Sequence, residues 1–455
     1  MLAMTADFLS QRHVIDLGKA WAGNTVNCVP YRSGPVLTEE QARYVAFYDE
    51  AGNIRILRHD LIDDTEDSVV IPNTLMPYDA HQSISMGFDG AGILHLAFGA
   101  HATTLLATRS RTSDLKDGFE PVGDFMAHAT YPMFLRLPKG DFLFLYREGR
   151  HNVGEMRVAH YNPEAGEWRE TMTPVLSGKE DRWTSGPYVN TPVVDEQGNV
   201  HLFVVWRLHV TSTSGGEVIN SGLDYLLSTD GLRTVQTGGG MALSMPVTRS
   251  NIERVVPVPL GSSLMNQASA QVMSGDRPAA MTYWAEPGGV PQYRLCWSDG
   301  HTWRTAALSR FLTAFRLDGQ GTLPLPHSRP EFVVTDDDNV IVIYRSVEEQ
   351  NRLMARLFFA PNYDYAFSQS QVLIDEDLGF YEPVIDRSGW KMRGELSIYV
   401  QHCRQGMSRD GEPDRHGARA RLVTWTYRSN PAEVLNKAFP SFSAFTRWPW
   451  PQLFR

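Results

Sequence analysis

The feature that most constrains this fold is a recurring turn, rich in Asp, Gly and Asn, followed by a strand of alternating apolar residues. A tight turn leading into an alternating strand predicts a β-hairpin. Seven copies recur at intervals of about 40 to 80 residues, at 49–57, 88–96, 138–146, 194–202, 274–278, 335–344 and 386–390. The recurrence predicts a chain built from consecutive antiparallel units.

The spacing favours a β-propeller, because a four-stranded blade needs about 40 to 50 residues and longer intervals accommodate loop insertions. We therefore expect an all-β protein, a seven-bladed β-propeller of four-stranded antiparallel blades. Segments 228–234 and 298–303 are similar to the Asp-box turn of sialidase-like propellers, which is a structural motif. No helical pattern of useful length competes with this interpretation.

We expect a single domain over residues 1–430. The segment 431–455 is rich in Phe, Trp and Pro without alternation, and we expect it to pack on the propeller as a tail. The strand at 419–427 is predicted to pair with the N-terminal strand at 13–17. This pairing would close the ring and remove exposed strand edges.

Charge and cysteine content restrict the partners and the compartment. The chain has 42 Lys and Arg against 52 Asp and Glu, a net charge of -10, so it has no sequence-wide basic footprint of a nucleic-acid binder. An anionic ligand must therefore bind in a local basic pocket. No apolar stretch is long enough to span a membrane, and the N-terminus does not read as a leader, so we expect a cytoplasmic protein. Three scattered cysteines indicate a reducing compartment.

Two histidines are placed symmetrically about one predicted turn. The segment 79–101 reads as two strands joined at 89–92, and His81 and His101 are equidistant from Ala91. In a regular antiparallel hairpin they would lie opposite each other at its open end. They are either a reactive pair or ordinary strand-end histidines, whereas His95, inside the second strand, is expected to be structural.

A second hairpin, 129–149, brings Tyr131 and Arg147 to its two ends. A guanidinium beside a phenol would stabilise the phenolate and help proton exchange, and Arg can pair bidentately with a carboxylate. The alternative is a core tyrosine and a salt-bridging arginine.

Further polar residues occur at apparent strand edges, where they would either join blades or contact a substrate. They are Tyr188, Asn190, Arg207, Asn266, Gln267 and Arg329. Among them, Arg207 is a candidate second contact for a carboxylate or sugar.

A structural zinc or calcium ion could be held by His327, Cys403 and His416, with His402 and Cys296 as further candidates. Their spacing matches no zinc finger or knuckle, and a buried inert cysteine is the alternative. The expected chemistry requires no cofactor.

Several of these segments together resemble the seven-bladed propeller family that includes ulvan lyases and related rhamnosyl-glucuronate-cleaving enzymes. The resemblance extends from about residue 13 to residue 427. The segments that carry it are 20–27, the pair His81 and His101, 131–132, 146–149, 204–207, 329–330 and 343–345.

The resemblance implies a lyase that cleaves an anionic, uronate-containing oligosaccharide or polysaccharide. His81, His101, Tyr131 and Arg147 would surround the uronate. Arg147, with Arg207, would neutralise the C5 carboxylate; His81 or Tyr131 would remove the C5 proton, and Tyr131 or His101 would protonate the departing oxygen at C4. The product would carry a 4,5-unsaturated uronate, and a rhamnose-linked glucuronate is one candidate substrate.

Two other functions remain open from the sequence. The same fold could support a glycoside hydrolase, similar to an α-L-rhamnosidase, which would give a saturated product. It could also be a non-catalytic carbohydrate-binding propeller, in which the cluster only lines a pocket.

Overall fold

The computed structural model describes residues 7–428 except 74, 123–124, 210–216, 320, 361–364, 366–367 and 406–415. The predicted tail, 431–455, lies outside this range. The described chain is all-β, as predicted, with one short α-helix, α1 (Arg387–Arg393). The 3-10 turns are Ala80–Gln82, Leu115–Asp117, Ser274–Asp276 and Val347–Glu349.

The strands follow one another along the whole described chain. Those up to residue 194 are β1 (Leu9–Trp21), β2 (Val36–Glu39), β3 (Ala42–Tyr48), β4 (Ile54–Asp60), β5 (Glu66–Ile71), β6 (Ser85–Phe88), β7 (Leu94–Phe98), β8 (Thr103–Ser110), β9 (Phe119–Pro121), β10 (Phe125–Arg136), β11 (Phe142–Arg150), β12 (Val153–Asn162), β13 (Glu167–Glu170), β14 (Leu176–Ser177), β15 (Ser185–Val189) and β16 (Val193–Val194). The rest are β17 (Val200–Leu208), β18 (Asn220–Ser228), β19 (Val235–Gln236), β20 (Ala242–Leu243), β21 (Glu253–Val256), β22 (Ser269–Met273), β23 (Arg277–Trp284), β24 (Gln292–Ser298), β25 (Trp303–Ala307), β26 (Glu331–Val334), β27 (Val340–Arg345), β28 (Leu353–Phe358), β29 (Ser368–Ile374), β30 (Val384–Ile385), β31 (Glu395–Gln401) and β32 (Gly417–Tyr427).

Antiparallel pairing joins these strands into six sheets within the described ranges. Four sheets have four strands each: β2–β5, β22–β25, β26–β29, and β30–β32 with β1. A seven-stranded sheet contains β15–β21, and a nine-stranded sheet contains β6–β14. The nine-stranded sheet consists of two consecutive sets, β6–β9 and β10–β14, which are joined because β8 also pairs with β10. The strands of the described residues therefore form seven consecutive sets.

The N-terminal strand pairs with the last strand of the chain. In this pairing, β1 runs antiparallel to β32 from Leu9 opposite Tyr427 to Trp21 opposite Gly417. This confirms the predicted pairing of the N-terminal strand with residues 419–427. The first and last segments thus share one sheet, and β1 covers the edge of β32.

The predicted turns lie between strands, although not all occupy equivalent positions. The second to sixth copies of the turn each connect the first two long strands of a set. The first copy, 49–57, lies one hairpin later and connects β3 to β4. The last copy contains α1 in place of a tight turn, because the Asp386 side chain accepts a hydrogen bond from the Gly389 amide at 2.8 Å and caps the helix. The two Asp-box segments form the β18–β19 and β24–β25 turns.

Apolar clusters pack between neighbouring sets in chain order. Five of them join each set to the next, from β2–β5 through to β26–β29. A sixth cluster includes Ile341 of β27, Leu396 of β31 and Val45 of β3, so it links the last sets back to the first. The apolar core is therefore distributed between sheets in a closed sequence.

One cavity of about 950 Å³ is lined by residues from seven strands, one from each set: β2, β6, β10, β16, β22, β26 and β30. None of the sequence-predicted site residues lines this cavity, although His81 lies just before β6 and Arg329 just before β26. This arrangement gathers side chains from distant parts of the sequence. Among the described residues, no helix has the length and apolar character needed to cross a membrane.

Candidate active site

His81 and His101 meet at the open end of the β6–β7 hairpin, as the symmetry of the sequence predicted. The hairpin register pairs Ser85 with Ala97 and Phe88 with Leu94, and its continuation places the two histidines opposite each other. Their rings are stacked with centroids 3.9 Å apart and planes 11° apart. His81 is buried, whereas the side chain of His101 is 42% exposed.

One carboxylate, absent from the sequence-based prediction, binds both rings. Asp79 Oδ1 lies 2.7 Å from His81 Nδ1, and Asp79 Oδ2 lies 2.5 Å from His101 Nδ1. Asp79 also caps the 3-10 turn by accepting a hydrogen bond from the His81 amide at 2.9 Å. An ionised carboxylate only accepts hydrogen bonds, so each ring donates from Nδ1 and, when neutral, keeps Nε2 free to accept a proton.

The charges of this triad are set by opposing effects. Burial disfavours ionisation of Asp79, but hydrogen bonds from His101 and His81 outweigh it and hold the pKa of this carboxyl well below its ordinary value. For His81, burial outweighs the Asp79 hydrogen bond and lowers the pKa of the imidazole. The buried ring is therefore neutral near pH 7 and able to act as a base.

Tyr131 lies beside this pair in a strained backbone conformation. It occupies a bulge in β10 with a φ of 57°, in the left-handed region that a tyrosine rarely adopts. Its ring centroid is 5.7 Å from His81 and 4.9 Å from Tyr31. Its hydroxyl makes no hydrogen bond to any described residue, so it is available to a ligand.

The prediction that the Tyr131 phenolate is stabilised is wrong, because the pKa of this tyrosine is raised and not lowered. Burial raises the pKa of this tyrosine, and Tyr188 raises it further, although Arg147, Arg207 and Arg329 all act the other way. Because burial dominates, Tyr131 stays protonated. The residue is suited to donate a proton rather than to remove one.

Arg147 is near the cluster, but its guanidinium is occupied by main-chain carbonyls. It donates to Pro187 at 3.0 Å and also to Gly149, Arg150, His151 and Val153. Arg147 is buried and lies over the Tyr188 ring at 4.6 Å. The structure thus corrects the expectation of a free bidentate contact: Arg147 contributes its charge and holds the loop after β11.

Arg207 offers the more open cation. Its Nη2 donates to Asn266 Oδ1 at 2.9 Å and its Nε to Asn220 Oδ1 at 3.2 Å, while the guanidinium lies 4.8 Å from the Tyr188 ring centroid. The side chain is half-buried, and its Nη1 makes no hydrogen bond within the described ranges. The two asparagines therefore orient Arg207 with one donor group free. Tyr188 is itself anchored, since its hydroxyl donates to the His151 carbonyl at 2.6 Å.

Asn190 joins strands instead of facing a ligand. It is fully buried; its amide nitrogen donates to the Ser269 carbonyl at 3.3 Å, and its oxygen accepts from the Ala268 amide at 3.2 Å. This corrects the expectation that Asn190 contacts substrate, because both ends of its amide are used between sets. The neighbouring Gln267 is also buried.

Arg329 forms a buried ion pair with Glu382, a residue that the sequence did not single out. The Arg329 Nη2 lies 2.5 Å from Glu382 Oε1, and both Nε and the Arg329 amide donate to Oε2. The guanidinium also lies 5.0 Å from the Tyr31 ring centroid, and Tyr31 stacks on His81. Arg329 therefore packs beneath Tyr31, which in turn stacks on His81, and its charge is already paired with Glu382.

The predicted metal ligands do not come together. In the described residues, two groups of three ligating side chains have their ligand atoms within 4.8 Å of one another, and neither contains His327, Cys403 or His416. His327 is buried, stacked on Phe311 at 3.7 Å, and bonded to Ser346 Oγ through Nδ1 at 2.8 Å. Cys403, like Cys28 and Cys296, is a buried free thiol. One of the two groups is the triad Asp79, His81 and His101 itself.

Residues 42–311, more than half of the chain, match the BNR repeat-containing family. The chain belongs to this family. The BNR repeat-containing match covers most of the segments that build the site, from Asp79 to Asn266. No curated protein matches the sequence.

Solved structures similar to this member of the BNR repeat-containing family include two polysaccharide lyases. One is a PL25 ulvan lyase bound to -[GlcA(1-4)Rha3S]-, with a TM-score of 0.68 and 12% identity, covering 93% of this chain and 99% of that chain. The other is the polysaccharide lyase Uly1, with a TM-score of 0.65 and 12% identity, covering 92% and 99%. At this identity the similarity establishes a shared β-propeller-like fold over nearly the whole length of both chains.

Proposed function

We propose that this protein is a polysaccharide or oligosaccharide lyase that cleaves beside a uronic acid by β-elimination. The observation that carries the proposal is the placement of two stacked histidines, oriented by one carboxylate, next to a protonated tyrosine whose hydroxyl bonds to none of the described residues. These are a base and an acid side by side, with the His81 and Tyr131 ring centroids 5.7 Å apart, and an elimination requires both.

In the proposed reaction, Arg207 pairs with the uronate carboxylate through its free Nη1. Neutralising this carboxylate stabilises the negative charge that develops when the C5 proton leaves. The fixed charge of Arg147, on the same Tyr188 ring, adds to this stabilisation without direct contact. The two arginines thus divide a role that the sequence assigned mainly to Arg147.

The histidine pair takes the C5 proton on an Nε2 atom. Because the rings are parallel and both Nδ1 atoms face Asp79, both Nε2 atoms lie away from the carboxylate. As the C5–H bond breaks, its electron pair forms the C4–C5 double bond and the C4–O bond breaks. Tyr131 donates its proton to the departing oxygen, so the products are a 4,5-unsaturated uronate and a free hydroxyl.

The carboxylates of the site disfavour the hydrolase alternative. A glycoside hydrolase ordinarily uses one carboxyl group as acid and another as base or nucleophile. Here Asp79 is bound by two imidazoles and Glu382 by the buried Arg329. Neither is free to attack or to activate water. The non-catalytic alternative does not account for the strained Tyr131.

The substrate class follows from the cations and from the fold. An arginine with a free donor suits an acidic sugar, and the similar ulvan lyase is bound to a glucuronate–rhamnose saccharide. We propose a rhamnose-linked glucuronate as the first substrate to examine. We further propose that the seven strand sets are the blades of one closed propeller domain, because the cavity strands and apolar clusters link them in a ring.

The test is an absorbance assay of the purified protein with a panel of uronate-containing oligosaccharides, including rhamnose-linked ones. The conjugated product of elimination absorbs in the ultraviolet, whereas hydrolysis yields new reducing ends without this absorbance. We expect absorbance to rise with the wild type and not with His101→Gln, a change at an exposed position that the fold should tolerate. Reducing ends without absorbance would refute the lyase, and silence with every saccharide would refute catalysis on this class.

A further inference from the structure

A second cluster of ligating side chains lies where the ring closes. It contains His13 in β1, His59 in β4 and Asp64 in the turn between β4 and β5, with their ligand atoms all within 4.8 Å of one another. Within the described part of the chain, this is the group of three that the proposed reaction does not use. Its members join the N-terminal strand to the first set of strands.

The distances are close to those of a metal site. Asp64 Oδ1 lies 2.8 Å from His59 Nε2 and 3.5 Å from His13 Nδ1. The two rings meet edge to face with centroids 5.0 Å apart. Tetrahedral zinc with bonds of about 2.0 to 2.2 Å separates its ligand atoms by roughly 3.3 to 3.5 Å. The carboxylate of Asp64, which is 72% exposed, need only move by about half an ångström from His59 to reach this spacing.

The two histidines are held by regular structure. His59 is buried within β4 and pairs with Arg43 on one side and Glu66 on the other. His13 follows a register shift in β1 after Gln11, and such a bulge redirects the side chains that follow it. A site built on strands is more rigid than one built on loops, so less ordering is required when an ion binds.

We propose that His13, His59 and Asp64 bind one Zn²⁺ ion, with water as the fourth ligand, and that this ion fastens the closing strand. Two imidazoles and one carboxylate suit zinc or a similar transition metal, because calcium and magnesium prefer oxygen ligands. None of these three residues belongs to the metal-ligand set predicted from the sequence, which was His327, Cys403 and His416. It is independent of the proposed lyase reaction.

The position explains what the ion would do. At its C-terminal end, β1 contacts the first set through a bridge between Ala20 and Asp49 and an exposed Lys19–Glu50 ion pair at 3.4 Å. Exposed ion pairs of this kind contribute little to stability. An ion bound by His13 and His59 ties the middle of β1 to β4, so it stabilises the junction between the first and last parts of the chain.

The test is a calorimetric titration of the chelator-treated, full-length protein with zinc chloride, combined with thermal unfolding. We expect one Zn²⁺ per chain and a higher unfolding midpoint with zinc. In His13→Gln, at a half-buried position, the dissociation constant should rise at least about tenfold, since even loss of an outer-shell partner commonly costs 10- to 100-fold. Zinc should no longer raise the midpoint of this variant. Asp64→Asn should weaken binding as well.

The matched control is His101→Gln, which removes a histidine from the other three-residue group and should bind zinc like the wild type. Zinc binding that survives in His13→Gln but disappears in His101→Gln would place the ion in the candidate active site and overturn the proposal. Failure of the wild type to bind zinc would overturn it too. Neither result depends on whether the protein cleaves a saccharide.

Discussion

The imidazoles of His81 and His101 are stacked 3.9 Å apart, and both donate a hydrogen bond to the single carboxylate of Asp79. Burial and the neighbouring His101 both lower the pKa of His81. The arrangement gives the site one proton acceptor made of two rings. Its orientation depends on Asp79.

Asp79→Asn should remove this orientation while changing the size of the side chain very little. The two rings bond different oxygens of Asp79, and in asparagine one of these positions is a donor nitrogen, so one of the two Nδ1 hydrogen bonds is lost. We expect kcat to fall on the order of 10²- to 10⁴-fold with little change in KM, measured by the absorbance assay. The control is Asp89→Asn in the same hairpin, because Asp89 bonds His95 at 3.2 Å at the opposite end. Unchanged turnover in Asp79→Asn would contradict the assigned role.

Tyr131→Phe should abolish proton donation to the departing oxygen. We expect kcat to fall by at least about 10²-fold, while the unfolding midpoint stays close to that of the wild type because the hydroxyl has no described partner. Tyr31→Phe is the matched control, since its ring packs against both Tyr131 and His81 and its buried hydroxyl has no hydrogen bond among the described residues. If both variants lose activity equally, the effect is one of packing and not of proton transfer.

Arg207 and Arg147, the two arginines beside the Tyr188 ring, should differ in their roles: Arg207 supports catalysis and Arg147 supports stability. Arg207→Gln should lower kcat/KM by about 10- to 100-fold with normal stability, because it removes a charge-assisted contact to the uronate. Arg147→Gln should instead lower the free energy of unfolding by about 3 kcal/mol or more, since it leaves several buried carbonyls without a donor. Steady-state kinetics and urea unfolding of both variants separate these roles, and the reverse assignment of effects would contradict the account.

Acid should destabilise the protein through His327. Burial lowers the pKa of His327 to about 4, with Arg345 acting in the same direction and Glu348 against it. Between pH 6.5 and this value the unfolded chain binds a proton that the folded chain does not, so stability rises with pH across this window and is lost as pH falls. We expect a loss on the order of 3 kcal/mol from pH 7 to 4. His327→Phe should show a shallower dependence in urea unfolding; an unchanged slope would exclude His327 as the cause.

The sequence predicted features that follow from regular hairpins. The meeting of His81 and His101 required only an uninterrupted register about one turn, and that register is present. The pairing of β1 with β32 likewise followed from alternation at both ends of the chain. In both cases local periodicity fixes the geometry, so no knowledge of distant contacts was needed.

Features that depend on irregular backbone or distant segments were missed. Symmetry about the β10–β11 turn would place Tyr131 opposite Arg147, but a bulge between Thr130 and Met133 places Thr130 there. Glu382 meets Arg329 only because the fold brings together the segments before β26 and β30, which belong to separate sets. The sequence did contain a signal for Asp79, because an Asp followed three residues later by a Gln, here Gln82, is a pattern that caps a helical turn. The bond between Asp79 and His101, however, depends on the folded hairpin.

The central claim, elimination by the histidine pair and Tyr131, is tested most directly by mass spectrometry of the products from one defined rhamnose–glucuronate oligosaccharide. Elimination adds nothing to the substrate, so the masses of the two products should sum to that of the substrate, with the new non-reducing end unsaturated. Product masses that sum to substrate plus one water would identify hydrolysis and contradict the account.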